Sequence, residues 1–247
     1  MRFVAVGELL VDVVAGGSGH EARIRVRPAG SAFNAAVSAA AAGAEASVIG
    51  TVGNDAAGRM ILAELEAYGV SAEVTAAEGS TGTFLLADGE IRVDRGVSHA
   101  VVLPEAIDAD AVLVSGYLPA GTIEAALGRA HAPWVALDAA RLGALPRGGN
   151  ALFANEEAAR RLTGQDAPQA VLSLAAGRRL ACVTLGAHGA IAVLDGRLET
   201  AEPPAVVADS PGSGDVFAAA LLVALARGER LAAALGEAGQ AVLDSRA

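Results

Sequence analysis

Short apolar runs rich in β-branched residues alternate along this chain with alanine-rich stretches of helical length. The first cycle runs from RFVAV (2–6) into a helical stretch at 32–42, and the second runs from ASVIG (46–50) into another at 56–68. The apolar runs predict strands and the stretches between them predict helices. This order is typical of a parallel sheet whose strands are joined by helical crossovers.

The same alternation resumes in the second half of the chain. Four further strands are predicted there, at AVLVSG (111–116), WVALD (134–138), ALFAN (151–155) and ACVTLG (181–186). Their residues are apolar on both faces, which is typical of strands covered by helices on both sides. We therefore predict an α/β fold with a doubly wound, mostly parallel sheet flanked by helices.

Two segments, residues 12–29 and 79–96, break this alternation. Both contain short alternating strands, and Asp88 and Gly89 predict a two-residue hairpin turn. We interpret them as a few antiparallel strands that project from the sheet edge as a small lid. The alternative is that they are ordinary edge strands with no gating role.

No linker or repeat indicates a second domain, so 1–247 is predicted to be a single domain.

Composition and charge narrow the classes of function. The 247 residues are 53% hydrophobic and carry a formal net charge of −10, which argues against a nucleic-acid partner. All 18 basic residues are arginine, which excludes lysine Schiff-base chemistry and a Walker A phosphate loop. A phosphate group held by this chain therefore needs backbone amides, arginine or a metal.

The cysteine and histidine positions indicate neither a disulfide framework nor a metal cluster. Cys182 is the single cysteine and lies in an apolar run, while His20, His99, His131 and His188 are scattered without metal-ligand spacing. The N-terminal residues lack the pattern of a secretory signal, and no long uncharged apolar window indicates a membrane span. We expect a cytoplasmic protein that has no membrane partner and binds a small molecule.

A glycine-rich turn, PGSGD (211–215), leads directly into a long apolar helical stretch. A helix N-terminus has unpaired N–H groups and a partial positive charge, so the amides of Gly212, Ser213 and Gly214 suit one anion. A carboxylate at the same place repels a phosphate. The conflict is resolved if Asp215 accepts the proton of an attacking hydroxyl while the amides stabilise a transferred phosphoryl group.

Two other interpretations of this turn were weighed. In one, Ser213 or Asp215 merely caps the helix, and the turn alone does not decide between capping and catalysis. In the other, the turn is a dinucleotide fingerprint. That interpretation fails because GSGDVF (212–217) lacks the third glycine and does not follow the first strand, so NAD is not expected.

Two long motifs resemble the signatures of the ribokinase-like (PfkB) carbohydrate kinases. DSPGSGDVFAAALL (209–222) resembles the C-terminal signature, usually D-T-x-G-A-G-D, and the segment 29–53 resembles the other, with Gly30, Asn34 and Gly43 at the expected spacing. Four shorter pieces, GELLVD, TGTF, NEEAARRLTG and VTLGAHG, follow the family's order. The resemblance covers nearly the whole chain. It implies an ATP-dependent sugar kinase with MgATP at the C-terminal half and sugar between sheet and lid.

The resemblance also implies roles for individual residues. Asp215 is expected to deprotonate the acceptor hydroxyl at an anion hole formed by the three residues before it. The expected substrate-binding residues are Asp12, Gly30, Asn34 and Arg95. The expected nucleotide-binding residues are Asn155, Thr184, Gly186 and Gly189. The residues alone also allow structural interpretations. In these, Asn34 is a structural polar group, Arg95 is a solvated arginine, and LGAHG (185–189) is a tight turn between strands.

Two departures from the family pattern bear on the cofactors. The family's N-x-x-E motif, whose glutamate helps to hold magnesium, reads NEEA here and ends in Ala158. Glu156 or Glu157 can replace it only if the helix start shifts, because one residue rotates a side chain by about 100°. The C-terminal helix carries glycine where the family often has asparagine. ATP and Mg²⁺ are expected, with a monovalent cation as an optional addition, but no metal ligand is assigned.

The sequence favours some classes of phosphoryl acceptor over others without selecting one. A neutral or keto sugar of the fructose or ribose type comes first, and an acid such as 2-keto-3-deoxygluconate second, since Arg95 and Arg141 are candidate carboxylate ligands. A nucleoside comes third because only 3% of the residues are aromatic. A binding protein with weakened catalysis is the alternative function. The resemblance is also compatible with a homodimer formed through the lid strands.

Overall fold

The computed structural model describes residues 1–17, 21–202 and 211–245. The strands of this part of the chain are β1 (Arg2–Val6), β2 (Leu10–Gly16), β3 (Arg23–Ala29), β4 (Glu45–Gly53), β5 (Ser71–Ala77), β6 (Gly82–Ala87), β7 (Glu90–Asp94), β8 (Ile107–Asp108), β9 (Ala111–Ser115), β10 (Ala130–His131), β11 (Trp134–Asp138), β12 (Ala151–Asn155), β13 (Leu180–Thr184), β14 (Ala190–Leu194) and β15 (Arg197–Ala201). The α-helices are α1 (Ser31–Ala41), α2 (Ala56–Ala67), α3 (Ala120–Arg129), α4 (Glu156–Thr163), α5 (Ala167–Leu174), α6 (Ser213–Ala226) and α7 (Leu231–Asp244).

The main sheet has the order β15-β14-β13-β12-β11-β9-β1-β4-β5. The strands from β5 to β13 pair in parallel, and β14 and β15 continue the sheet antiparallel. Apolar residues of α1, α2, α6 and α7 form one core cluster and those of α3, α4 and α5 form another. The predicted doubly wound, mostly parallel α/β fold is confirmed, and the chain changes direction across the sheet between β1 and β9.

Helix α6 is the most deeply packed helix of the first core cluster. Its residues from Val216 to Leu225 are all apolar and all buried, and it packs against α1 and α7. A helix that is apolar around its whole circumference is stable only when it is covered on every side. The predicted buried thiol, Cys182, lies in the same cluster, where burial raises its pKa to about 12. The start of α6 is therefore anchored by the core.

A second sheet of four strands has the order β3-β2-β6-β7. Asp88 and Gly89 form the predicted two-residue turn between β6 and β7, both with positive φ. The predicted antiparallel strands are present as the pairs β2–β3 and β6–β7, but the parallel pairing of β2 with β6, which joins them, was not predicted. The chain passes through α1, β4, α2 and β5 between β3 and β6, and a crossover of this length allows the parallel pairing.

The register of this second sheet decides which side chains share a face. Asp12 on β2 is opposite Phe84 on β6, and Phe84 is opposite Val93 on β7. Directly opposed residues of neighbouring strands point to the same side, so Asp12 and Phe84 lie on one face. Residues 18–20, which include His20, lie outside the described residues. Across the described ranges, no helix has the length and apolar character needed to cross a membrane.

Candidate active site

Polar residues follow the carboxyl ends of five neighbouring parallel strands. Glu8 follows β1, Tyr117 follows β9, and β11, β12 and β13 end in Asp138, Asn155 and Thr184. Parallel strands bring their carboxyl ends to one edge, and ligands of such sheets bind where the strand order reverses. Four of these residues, all but Glu8, line a cavity of about 650 Å³ that also reaches the start of α6.

The N-terminus of α6 places a carboxylate at this cavity. Gly212 takes the left-handed conformation (φ 88°) at the N-cap position, and Asp215 lies in the first helical turn. The Nδ2 of Asn34 on α1 donates a hydrogen bond to Oδ2 of Asp215 at 3.1 Å. A Cβ atom on Gly212 would lie 2.5 Å from that same Nδ2, so glycine is needed for Asn34 to reach Asp215.

The interpretation of Asp215 as a simple N-cap does not match this geometry. The cap position is Gly212, which has no side chain, and the carboxylate of Asp215 is paired with a side chain from another helix. Gly212, Ser213, Gly214 and Asp215 all line the cavity. The amides in a first turn have no acceptor within their own helix, so this end of α6 can accommodate an anion. Asp209 and Ser210, the first residues of the matching signature, lie outside the described residues.

Two carboxylates at this edge of the sheet disfavour each other's ionisation. Burial raises the pKa of Asp215 well above its ordinary value; the charges of Asp138 and Glu8 raise it further, and the hydrogen bond from Asn34 opposes the rise. Burial also raises the pKa of Asp138 to about 6, and the hydrogen bond from the amide of Ala140 opposes this rise. At least one of the two carboxyl groups therefore titrates near neutral pH.

The raised pKa of Asp138 predicts a stability cost at high pH. The folded state binds the proton of Asp138 more tightly than the unfolded state, so stability falls as the pH rises from about 4 to about 6 and stays lower above that. Asp138→Asn keeps an acceptor for the Ala140 amide and removes the charge. We expect it to raise the free energy of unfolding at pH 8 by about 1–3 kcal/mol.

Urea denaturation at several pH values checks this prediction. The gain should shrink as the pH is lowered from 8 toward 4, because the wild-type carboxyl group is then protonated in the folded state. Asp88→Asn, the same substitution at an exposed hairpin turn, should change stability by less than about 0.5 kcal/mol at every pH. A gain that does not depend on pH would contradict the assignment of a buried charge to Asp138.

Of the four expected substrate-binding residues, Asn34 contacts Asp215, and none of the four is among the residues that line the cavity. Gly30 precedes α1 with φ 109°, and a Cβ atom there would lie 2.3 Å from the carbonyl oxygen of Glu8. Asn34 lies one turn later, and its backbone N–H donates a hydrogen bond to the carbonyl oxygen of Gly30 at 2.9 Å. Asp12 is buried and accepts from Nη2 of Arg27 at 3.2 Å; burial raises its pKa, and Arg27 opposes the rise.

Arg95 is engaged within the protein. Its Nη1 donates to Oε1 of Glu8, a buried carboxylate, and its guanidinium carbon lies 5.7 Å from the centroid of the Tyr117 ring. The guanidinium carbon of Arg141 lies 5.8 Å from that centroid. Burial raises the pKa of Glu8, while the ion pair with Arg95 and the nearby His99 oppose the rise. Arg95 is therefore partly solvated, with 42% of its side chain exposed, and is also paired with a buried carboxylate, which the sequence did not predict.

The expected nucleotide-binding residues lie at the other end of the cavity. Asn155, Thr184, Gly186 and Gly189 all line it. Asn155 also caps α4, with its Oδ1 accepting from the amide of Ala158 at 2.8 Å. The turn of LGAHG does join β13 and β14, and a Cβ atom on Gly189 would lie 2.0 Å from the carbonyl of Ala201. These residues therefore have structural contacts as well as access to the cavity.

Two glutamates reach the cavity just before Ala158, the position where the family has its glutamate. Ala158 has no exposed surface and packs in the second core cluster, whereas Glu156 and Glu157 line the cavity. Each of these glutamates also approaches an arginine one turn later, Arg160 at 3.7 Å and Arg161 at 3.1 Å. Within the described ranges, no group of three or more histidine, cysteine or acidic side chains is arranged to hold a metal.

Sequence reasoning missed three residues of this site. Glu8 lay in the family piece GELLVD, Asp138 ended the predicted strand WVALD, and Tyr117 follows the predicted strand AVLVSG. A usable signal existed for all three, because each stands at or just after the carboxyl end of a predicted parallel strand. What the sequence could not supply was the contact of Glu8 with Arg95, which are 87 residues apart.

Comparisons with known proteins identify the family of this chain. A family model described as pfkB family carbohydrate kinase matches residues 2–242. A ribokinase of Bacillus subtilis is 30% identical over 235 residues, which cover 87% of this chain and 79% of that protein.

Solved structures show the same fold. A ribokinase of Thermotoga maritima superimposes with a TM-score of 0.82 at 21% identity, covering 97% of this chain and 91% of that one. An Arabidopsis thaliana ribokinase solved with ribose and ATP gives 0.78 at 24% identity, covering 98% and 91%. An adenosine kinase from Sinorhizobium meliloti gives 0.79 at 20% identity, covering 98% and 92%.

Proposed function

The chain belongs to the pfkB family of carbohydrate kinases, and on this basis we propose that it transfers the γ-phosphoryl group of ATP to a hydroxyl of a small sugar. The observation that carries the proposal is the carboxylate of Asp215, which faces the cavity from the first turn of α6 and is oriented by Asn34. A proton acceptor and a set of first-turn amides share this helix start.

In the proposed reaction, the ionised carboxylate of Asp215 accepts the proton of the acceptor hydroxyl as the hydroxyl oxygen attacks the γ-phosphorus. The bond between the γ-phosphorus and the β,γ-bridging oxygen breaks, and ADP leaves. The amides of Gly212, Ser213 and Gly214 stabilise the negative charge on the transferred group. Asn34 keeps the carboxylate pointing at the cavity. Because burial and Asp138 favour the protonated form of Asp215, we expect the activity to fall as the pH is lowered.

The proposed acceptor site lies between the edge of the main sheet and the second sheet, which acts as a lid. Asp12, Gly30, Asn34 and Arg95 are the proposed ligands of sugar hydroxyls, with fructose, ribose or 2-keto-3-deoxygluconate types as candidates. Carboxylate and amide groups suit a polyol because they accept and donate hydrogen bonds in pairs. A nucleoside kinase is the alternative suggested by fold neighbours named adenosine kinases.

The proposed ATP site is the opposite end of the cavity, at Asn155, Thr184, Gly186 and Gly189. Mg²⁺ is commonly bound in such sites through one or two carboxylates together with substrate phosphates. Asp138, Glu156 and Glu157 line the cavity, so their carboxylates would be available to this cation while Asp215 stays free to accept a proton. When bound, Mg²⁺ neutralises charge on the phosphate oxygens. A further monovalent cation stays a prediction.

An ADP-release assay over hexoses, ketoses, sugar acids and nucleosides tests the proposal. We expect ATP-dependent turnover on at least one small sugar, with no turnover when Mg²⁺ is removed by a chelator. Product analysis by mass spectrometry should show a sugar monophosphate. Absence of turnover on every acceptor would contradict kinase activity.

A catalytically weakened binding protein is the second candidate, and the burial of Ala158 favours it. A position that packs in the core cannot supply the family's missing carboxylate. Isothermal titration calorimetry separates the two candidates. A binding protein should bind sugar or ATP without ADP release, and its affinity should not depend on the identity of residue 215.

The assembly and location of the protein are proposals as well. A homodimer formed through the lid strands is supported by the exposed apolar side chains of Ile24 and Val26 on β3. Pairing with a second copy would also cover the edge strand. Analytical ultracentrifugation measures the oligomeric state directly. A single unit spanning residues 1–247 and a cytoplasmic location both stay predictions.

A further inference from the structure

Glu8 joins the lid to the edge of the main sheet where the strand order reverses. It follows β1, and its side chain is 4% exposed. Its partner Arg95 is the first residue after β7, on the lid. Glu8 also lies close enough to Asp215 for its charge to raise the pKa of that carboxyl group. The Glu8–Arg95 ion pair therefore borders the proposed acceptor site.

The backbone around Arg95 is held firmly in place. The amide of Val97 donates to the carbonyl of Ser80 at 2.9 Å, and the amide of Gly82 donates to Oγ of Ser98 at 2.9 Å. A Cβ atom on Gly96 would lie 2.1 Å from the Ser80 carbonyl oxygen. This turn thus presents Arg95 in a fixed position between Glu8 and the Tyr117 ring. Releasing its guanidinium for another anion means separating it from Glu8.

The charges near the acceptor site are unfavourable to an anionic acceptor. Glu8, Asp12 and Asp215 contribute three carboxylates, and Arg27 and Arg95 are each paired with one of them. Arg141, beside the Tyr117 ring, lines the cavity as a further cation, so the carboxylates outnumber the arginines that remain for an anion. A carboxylate on the acceptor would compete with Glu8 for the guanidinium and would meet the other acidic groups. A sugar hydroxyl needs only one N–H group as a hydrogen-bond donor. A guanidinium that is paired with one carboxylate still has further N–H groups that can donate to it.

We propose that Glu8 is a specificity-determining residue that holds Arg95 as a hydroxyl donor, so that the enzyme prefers a neutral sugar to a sugar acid. The inference rests on the proposed kinase function. Arg95 then binds the acceptor without binding a carboxylate, and Glu8 acts through Arg95 rather than on the acceptor directly. Glu8 thereby excludes acids that an unpaired lid arginine would attract.

The test compares D-fructose with 2-keto-3-deoxy-D-gluconate as acceptors. For the wild type we expect kcat/KM to be higher with fructose. Glu8→Gln removes the competing charge while keeping the side chain's length, and it should shift the fructose-to-acid ratio of kcat/KM toward the acid by at least tenfold. Adding Arg95→Met to Glu8→Gln should abolish the shift. A wild type that prefers the acid, or a ratio that changes less than twofold in Glu8→Gln, would overturn the proposal.

Glu90→Gln is the matched control. Glu90 pairs with Arg92 on β7 of the same sheet, but both side chains are more than half exposed. The control removes a carboxylate from an arginine of the lid without changing the acceptor site. The ratio should stay at the wild-type value. A shift as large as that of Glu8→Gln would show that net charge, and not the Glu8–Arg95 pair, sets specificity.

If Glu8→Gln does not fold, the single variant Arg95→Met tests the proposal instead. Our proposal predicts a lower kcat/KM for fructose and little change for the acid. A guanidinium that binds the carboxylate of the acceptor predicts the opposite, a larger loss with the acid, and that outcome would overturn the inference.

The same comparison can be made without turnover. If the wild type releases no ADP with any acceptor, the kinase proposal fails, but the inference about Glu8 can still be tested. Calorimetry then compares the Kd values of the two compounds in the wild type and in Glu8→Gln. Failure of the wild type to bind either compound would overturn the inference as well.

Discussion

Asp215→Asn is expected to lower kcat by about 10²- to 10⁴-fold with whichever acceptor the enzyme phosphorylates. Asparagine keeps an oxygen that can accept the hydrogen bond from Nδ2 of Asn34, so the geometry of the α6 start should persist. It cannot accept the proton of the acceptor hydroxyl. The loss should therefore fall mainly on kcat, with KM for sugar and ATP changed much less.

Steady-state kinetics and calorimetry on the purified variant check this result. The Kd for ATP should stay within about threefold of the wild type, and stability at pH 8 should not fall, because a buried carboxylate with a raised pKa is replaced by a neutral amide. A kcat within tenfold of the wild type would remove Asp215 from the role of base. An equal loss of affinity for both ligands would instead indicate a damaged fold.

Most of the fold could be predicted from the local pattern. RFVAV, WVALD and ALFAN match β1, β11 and β12 residue for residue, because buried parallel strands are apolar on both faces and need no distant information. The helical stretches predicted at 32–42 and 56–68 differ from α1 and α2 by a single residue at one or both ends. Alanine-rich periodicity marks the helix, and capping by Asp55 defines the start of α2.

The lid could be located but not assembled from the sequence. Alternating residues and the Asp88–Gly89 turn are local signals, and they fixed the β6–β7 hairpin. The parallel pairing of β2 with β6 is not local, since each β6 residue lies 72 positions after its partner on β2, as in the pair Leu10 and Gly82. Register between distant strands depends on the intervening helices, and a single sequence does not encode that in any short pattern.

The candidate site was predictable only where its features depend on neighbouring residues of the sequence. The glycine-rich turn indicated that Asp215 and an anion site share a helix start, because both properties are local. The contacts that orient the site come from far along the chain: Asn34 is 181 residues from Asp215. The pairing of Arg95 with Glu8 was likewise not predictable from the sequence, which left open whether Arg95 binds a carboxylate, donates to a sugar hydroxyl or is solvated.

Gly212→Ala is expected to lower kcat by about 10²-fold or more through displacement of Asn34, a loss comparable to that of a misplaced catalytic group. Two effects act at this position. The φ of 88° disfavours any side chain, and the new methyl group would lie 2.5 Å from Nδ2 of Asn34. The first effect costs about 1 kcal/mol of stability, whereas the second disturbs the hydrogen bond that orients Asp215.

Gly228→Ala separates these two effects, because Gly228 follows the other end of α6 with nearly the same φ, 87°, and a Cβ atom there would meet no atom within 4 Å. We expect this control to lose about 1 kcal/mol of stability and to keep its kcat within about twofold of the wild type. Thermal denaturation and steady-state kinetics on the two variants make the comparison. If both variants lost activity equally, strain in the backbone of α6 would explain the loss, and Asn34 would have no special part in orienting the base.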